Sequence, residues 1–213
     1  MARITHAIFD MGGTLVDMDL IADLLSDWAK SNGKHTTDDI KSYIREMDSL
    51  KDLFYKFFDS IHVYSDSVRN DCIKQLLRLI LYKGLKLSAG ADRLVKHLHY
   101  NDIPMAIVSS GYRREFDLFG QKFGTYFDKF FAHSVCGSDD PEVIFNKPKP
   151  DLYMVCAKRF PKPPKSMANV VVFEDSLSGI SGAVGAGMQT VLINDRKYGD
   201  FQSISERITL IID

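Results

Sequence analysis

Ile8-Phe9-Asp10-Met11-Gly12-Gly13-Thr14-Leu15-Val16 decides the reading of this chain, because it sets an apolar run, a lone carboxylate and a double-glycine turn end to end. Ile4, Ala7, Ile8 and Phe9 suit a short buried strand. The glycines stop that strand and bring backbone N–H groups close to anything bound at its carboxyl end. In open parallel α/β sheets, ligands bind at that end. The competing reading is a hairpin turn that carries an incidental surface aspartate.

Working outward, Leu20 to Ala29 shows helical spacing and stops at Ser31-Asn32-Gly33. Thr37-Asp38-Asp39 caps a second predicted helix through Ile44 and Met47, Leu50 to Phe58 forms a third, and Ser65-Asp66 opens a fourth that stops at Gly84. After Gly90 the pattern changes. A helix through Ala91, Leu94, Val95 and Leu98 leads into the apolar strand Ile103 to Val108, which ends in Ser109-Ser110-Gly111. The spacing then predicts a helix from Arg114 to Phe123, a strand near Phe130 to Val135 and a helix from Pro150 to Arg159. The strand Val170 to Phe173, a glycine-rich helix from Ser178 to Ala186 and the strand Thr190 to Ile193 complete the series. Strands separated by helical crossovers imply a Rossmann-like parallel α/β sheet with right-handed connections. The expected organisation is an α/β core of residues 1–15 and 90–213, with an all-helical cap inserted as residues 16–89. Such a cap lies over the carboxyl ends of the strands and can exclude water from a site there.

Composition excludes several classes of function. With 213 residues and a formal net charge of −1, the chain has room for one full core plus a small lobe, and no global basic field for nucleic acid or an anionic membrane. No apolar run approaches membrane-spanning length. Cys72, Cys136 and Cys156 are odd in number, far apart and at no metal-ligand spacing, which points to a reducing, cytoplasmic setting. The six histidines show no ligand spacing and read as structural or solvated. Phe54, Tyr55, Phe57 and Phe58 read as core of the helical lobe, and Gly179, Gly182, Gly185 and Gly187 as close packing on the sheet.

Polar groups end strands or begin helices on one expected edge: Asp10, Ser109-Ser110, Lys147 before Pro148, and Glu174-Asp175. Taken singly they read as a turn, an N-cap and a surface lysine. Together they make one chemical kit. A carboxylate can attack phosphorus, a hydroxyl and an ammonium can hold phosphate oxygens, and further carboxylates can hold a hard cation such as magnesium.

These segments resemble the four motifs of the haloacid dehalogenase superfamily. The match runs through Asp10 to Leu15, Ser109, Lys147-Pro148-Lys149-Pro150-Asp151, and Phe173 to Ser176 followed by Gly179 and Ala186-Gly187-Met188. Gly137 to Val143, Cys156 to Phe160 and Pro163-Pro164 are similar to the pseudouridine-5'-phosphatase subfamily. The resemblance implies a Mg2+-dependent phosphatase of a small phosphorylated metabolite, a nucleotide or sugar phosphate, acting through an aspartyl-phosphate. In that role Asp10 is nucleophile and metal ligand, the carbonyl of Gly12 is a second ligand, and Asp175 is a third with Glu174 assisting. Ser109, with Ser110 beside it, and Lys147 bind phosphate, and Lys147 also orients Asp10.

One position departs from the pattern. The family's phosphatases carry an aspartate two residues after the nucleophile as general acid and base, and this chain has Gly12 there. Glycine can offer a carbonyl but cannot move a proton, so impaired turnover is expected; Asp17 and Asp19 read as hinge and helix-cap residues rather than as replacements. The alternatives are a catalytically inactive phosphate-ligand binding protein and, ranked lower because Glu174-Asp175 suits a cation, a carbon–halogen hydrolase.

Overall fold

The structure, a computed structural model, describes residues 2–34, 50–193 and 209–212. Its centre is strand β1 (His6–Asp10), every residue of which is buried. Strands β2 (Met105–Ser109), β3 (Ser134–Cys136), β4 (Val170–Glu174), β5 (Gln189–Ile193) and β6 (Leu210–Ile212) join it in one sheet of order β3-β2-β1-β4-β5-β6. All neighbouring pairs are parallel. The predicted parallel α/β architecture is therefore the observed one.

The two-residue period of a strand divides the apolar residues between two faces. Ala7, Phe9, Met105, Ile107, Val171 and Phe173 belong to one apolar cluster, and Ile8, Ala106, Val108, Val170 and Val172 to the other. A strand buried on both faces must be apolar at every position, which is why these segments read as continuous runs. The first face packs under α4 (Ala91–Tyr100) and α5 (Arg113–Phe130). The second packs under α6 (Asp151–Lys158) and α7 (Leu177–Gly185), through Leu152, Tyr153, Val155, Cys156 and Ala183. The glycine series was expected to pack on the sheet, but at Gly182 the close approach is of α7 to α6. A Cβ at Gly182 would stand 2.9 Å from both the Lys149 carbonyl oxygen and the Tyr153 ring.

Between β1 and α4 the chain forms α1 (Asp19–Ser31), α2 (Leu50–Ser60) and α3 (Asp66–Lys83). Phe54, Phe57 and Phe58 are buried there, as a core reading requires, with Trp28 edge-on to Phe58 at 5.4 Å. Tyr55 is not; its ring is exposed beneath the Arg69 guanidinium, 5.3 Å from the ring centre. Residues entering and leaving this helical segment run side by side: Asp17 N–H donates to the Lys86 carbonyl at 3.0 Å and Ser88 N–H to the Leu15 carbonyl at 2.9 Å. The predicted second helix at Thr37, Asp38, Asp39, Ile44 and Met47, like His35, lies outside the described residues.

Two boundaries differ from the sequence reading. The helix expected to stop at Phe123 continues to Phe130, and the strand expected from Phe130 begins at Ser134. Phe116, Phe119, Phe123, Phe127 and Phe130 recur every three or four residues and are all buried, so one phenylalanine stripe carries the helix through. The adjacent aromatics Phe130 and Phe131 mimic the start of a strand, but Phe130 completes the helical stripe. Strand β6 had no counterpart in the prediction, since a three-residue edge strand is too short to show a period.

Phe9 lies at the meeting of these layers, stacked on Phe173 with ring centres 4.6 Å apart and edge-on to Phe131 at 5.8 Å. Phe9→Ala is expected to cost about 3–5 kcal/mol in urea unfolding, as for other buried aromatic truncations.

Candidate active site

Parallel strands bring Asp10, Ser109 and Glu174 to the same edge of the sheet, because each is the last residue of its strand and β2, β1 and β4 are adjacent. Lys147 reaches this edge from the connection between β3 and α6. Its Nζ donates to Asp10 Oδ1 at 2.6 Å and also to Glu174 Oε1. Asp10, Lys147, Glu174 and Asp175 are 6 %, 7 %, 0 % and 5 % exposed, so this is a buried ionic cluster and not a surface salt bridge.

Glu174 is saturated by donors. Its Oε1 accepts from Lys147 and from the Tyr153 hydroxyl at 2.8 Å. Its Oε2 accepts from the backbone N–H groups of Asp175 and Ser176, each at 3.0 Å, and from the Ser176 hydroxyl at 2.9 Å. Burial opposes its charge, but Lys147 and these hydrogen bonds outweigh burial and hold the carboxyl below its ordinary range. Lys147 likewise keeps its proton. Burial works against the ammonium, and the carboxylates of Asp10 and Glu174 more than compensate.

Asp10 is in the opposite condition. Burial, above all, pushes its carboxyl well above the usual range; Lys147 pulls it back, while Glu174 and Asp175 push it further up. Three carboxylates thus gather around one ammonium in a buried space. Oxygen atoms of Asp10, Glu174 and Asp175 lie within 4.8 Å of one another, a spacing and donor chemistry that fit a hard divalent cation. That gathering of carboxylate oxygens is the structural reason for expecting one.

The turn after Asp10 fits around this cluster. Gly13 has φ +89°, and the point where its Cβ would stand is occupied by the Asp175 carboxylate. Thr14 donates its hydroxyl to Asp175 Oδ1 at 3.1 Å. Gly12 differs from its neighbour. A Cβ there would meet only the Met18 side chain, at 3.5 to 3.7 Å, an ordinary contact, and its φ lies outside the left-handed region. Asp17, considered as a substitute acid, has Oδ1 accepting the Asp19 N–H at 2.8 Å just ahead of α1, whose N-cap position is Met18.

Ser109 and Ser110 stand at the end of β2, one strand from Asp10. Ser109 Oγ accepts the Gly111 N–H at 3.2 Å. The Ser110 carbonyl takes two donors, the Ser138 hydroxyl at 2.6 Å and the Asn146 side-chain amide at 2.8 Å. Asn146 Oδ1 in turn accepts the Lys147 N–H at 2.8 Å, so one side chain locks the serine loop to the lysine loop. A bidentate Arg159–Asp140 pair, at 2.6 and 2.8 Å, fastens the same connection to the end of α6. Tyr153, Thr14, Ser138 and Asn146 were not singled out in the sequence. The adjacency of Asn146 to Lys147 was the one available signal; Tyr153 lies within the helix expected from Pro150 to Arg159, where nothing set it apart.

A family model for haloacid dehalogenase-like hydrolases matches residues 4–187. The chain belongs to this hydrolase family. The Drosophila melanogaster protein named "Probable pseudouridine-5'-phosphatase" is 31% identical over 198 residues, covering 92% of this chain and 84% of that protein. Arabidopsis thaliana (DL)-glycerol-3-phosphatase 2 is 31% identical over 226 residues, covering 99% of this chain and 88% of its own. Among solved structures, CbbY from Rhodobacter sphaeroides in complex with phosphate superposes with a TM-score of 0.70 at 18% identity, over 99% of this chain and 94% of that one. That last likeness establishes the fold.

The two glycines of the turn should separate in experiment. Gly13→Ala forces a left-handed φ on a Cβ that has no room, and is expected to cost at least about 1–2 kcal/mol. Gly12→Ala is expected to be neutral or to stabilise by up to about 1 kcal/mol, both read from urea unfolding midpoints. Tyr153→Phe removes one donor from a fully buried carboxylate; a loss of about 1–3 kcal/mol in the same assay is expected.

Proposed function

We propose that this hydrolase is a phosphomonoesterase of a small phosphorylated metabolite, a nucleotide or sugar phosphate, that uses Mg2+ and forms an aspartyl-phosphate on Asp10. The observation that carries the reading is the bridge from Lys147 to Asp10 and Glu174 beside Asp175, at the carboxyl edge of a parallel sheet. The names of the two curated relatives, a pseudouridine-5'-phosphatase and a glycerol-3-phosphatase, support the substrate class. The three cysteines are free and buried, which supports a reducing compartment such as the cytoplasm.

In this mechanism Asp10 attacks phosphorus through one carboxylate oxygen, the bond from phosphorus to the ester oxygen breaks, and water later cleaves the acyl phosphate. Lys147 and Ser109 bind the equatorial oxygens, and Lys147 keeps Asp10 oriented throughout. Asp10, Asp175 and the Gly12 carbonyl would hold Mg2+, with Glu174 behind them fixing the lysine. When bound, the cation compensates the charge that otherwise keeps a carboxylate and a phosphate apart. Residues 16–89 form the cap in this reading, supported by the antiparallel pairing of residues 15–17 with 86–88 at their base. Gly12 leaves the turn without a proton carrier, so both chemical steps run slower by about 10²–10⁴ than they would with one.

Asp10→Asn is expected to abolish hydrolysis of a panel of aryl and sugar phosphates while the protein stays folded by circular dichroism. Chelation of divalent ions is expected to stop turnover, and added Mg2+ to restore it. An Asp10→Asn variant as active as wild type would reject the nucleophile. Retained phosphate binding with no turnover in wild type would leave a binding protein.

A further inference from the structure

A departing ester oxygen needs a proton unless it is stable as an anion. Among the described residues, the protons of the ammonium, phenol and threonine groups around Asp10 are engaged, and the Ser109 hydroxyl, whose oxygen accepts the Gly111 N–H, is an alcohol and a poor general acid. Lys147 directs its ammonium to Asp10 and Glu174. The Tyr153 hydroxyl donates to Glu174 at 2.8 Å from a fully buried ring. Thr14 gives its hydroxyl proton to Asp175. Asp17 receives the Asp19 N–H. The turn itself contributes no side chain at Gly12, and what flanks that position is the thioether of Met18, with Sδ 3.5 Å, Cε 3.6 Å and Cγ 3.7 Å from the place of a Cβ. A thioether carries no exchangeable proton, but it is a favourable neighbour for an aromatic ring.

We infer that this site selects phosphate esters of acidic hydroxyl groups, aryl phosphates above all, and discriminates against the phosphates of ordinary alcohols. The inference rests on the phosphatase reading above and names its substrate class. Balanced, the first step forms a bond from an Asp10 oxygen to phosphorus and breaks the bond from phosphorus to the aryl oxygen. The electron pair leaves with that oxygen as a phenolate, and no proton moves. In the second step a water oxygen bonds to phosphorus, the Asp10–phosphorus bond breaks to return the carboxylate, and the water's proton passes to solvent with release of inorganic phosphate. Phenols ionise near pH 10 or below, whereas alkanols, like water, give up a proton only at far higher pH. Without a proton donor, that difference falls on the first step. Without a base, the second step is slow for every substrate, so the phosphoenzyme accumulates.

The test is a series of substituted phenyl phosphates and alkyl phosphates, glycerol 3-phosphate included, assayed on the whole chain with Mg2+. For wild type, kcat/KM is expected to fall steeply with leaving-group pKa, by at least about 10²–10⁴ from 4-nitrophenyl to alkyl phosphates. A burst of phenolate equal to the enzyme concentration should precede steady turnover, and intact-mass measurement should show one added phosphoryl group that is absent in Asp10→Asn. Gly12→Asp, which the ordinary contacts at that position accommodate, should flatten the dependence by accelerating the alkyl substrates by a similar factor. A flat dependence in wild type, with activity lost in Asp10→Asn, overturns this inference and leaves the phosphatase reading intact. A steep dependence that a folded Gly12→Asp does not change overturns the assignment to this turn. No turnover in either wild type or Gly12→Asp overturns both readings.

Discussion

A buried ammonium ion governs this structure. Lys147 has left water for a space shared with Asp10 and Glu174, and desolvation on that scale is repaid only when every charge finds partners of good geometry. The demand fixes the surroundings. Glu174 needs donors on both oxygens and receives them from Tyr153 beneath and from Asp175 and Ser176 beyond. The connection bearing the lysine must not drift, and Asn146 and Arg159 hold it at its two ends. The sheet supplies the rest, since only adjacent parallel strands deliver residues 10, 109 and 174 to one edge.

Asp10 and Asp175 stand beside the saturated Glu174 and the protonated Lys147. Burial raises the first of these well above its normal range. The donor chemistry of the cluster suits a hard cation, with the ion pair of Lys147 and Glu174 beside the Asp10 carboxyl. Gly13 shows how closely it is fitted, for the space of a single methyl group is already filled by Asp175.

Much of this was legible in the sequence, for a physical reason. Fully buried parallel strands must be apolar throughout, so Ile8, Val108 and Val172 announced their strands. The polar residues ending those strands marked the edge at which ligands bind. Reading was poorer where two periods overlap. The phenylalanines of α5 gave an aromatic run that ended too soon in the prediction, and β6 was too short to show any period. Side chains that support others were also hidden. Tyr153 occupies an apolar helix position and its hydroxyl matters only because Glu174 lies above it. Ser138 and Asn146 act on the Ser110 carbonyl, 28 and 36 residues away, a relation that no local pattern records.

Gly12 and Gly13 are neighbours in sequence with opposite freedoms. At one, the backbone conformation and the Asp175 carboxylate exclude every other residue type; at the next, an unstrained backbone faces a pliable thioether. Inheritance can therefore act on them separately. A lineage with this architecture can exchange residue 12, two positions after Asp10, through single substitutions, without passing through misfolded ancestors, and so can vary the chemistry of this edge while the scaffold stays constant.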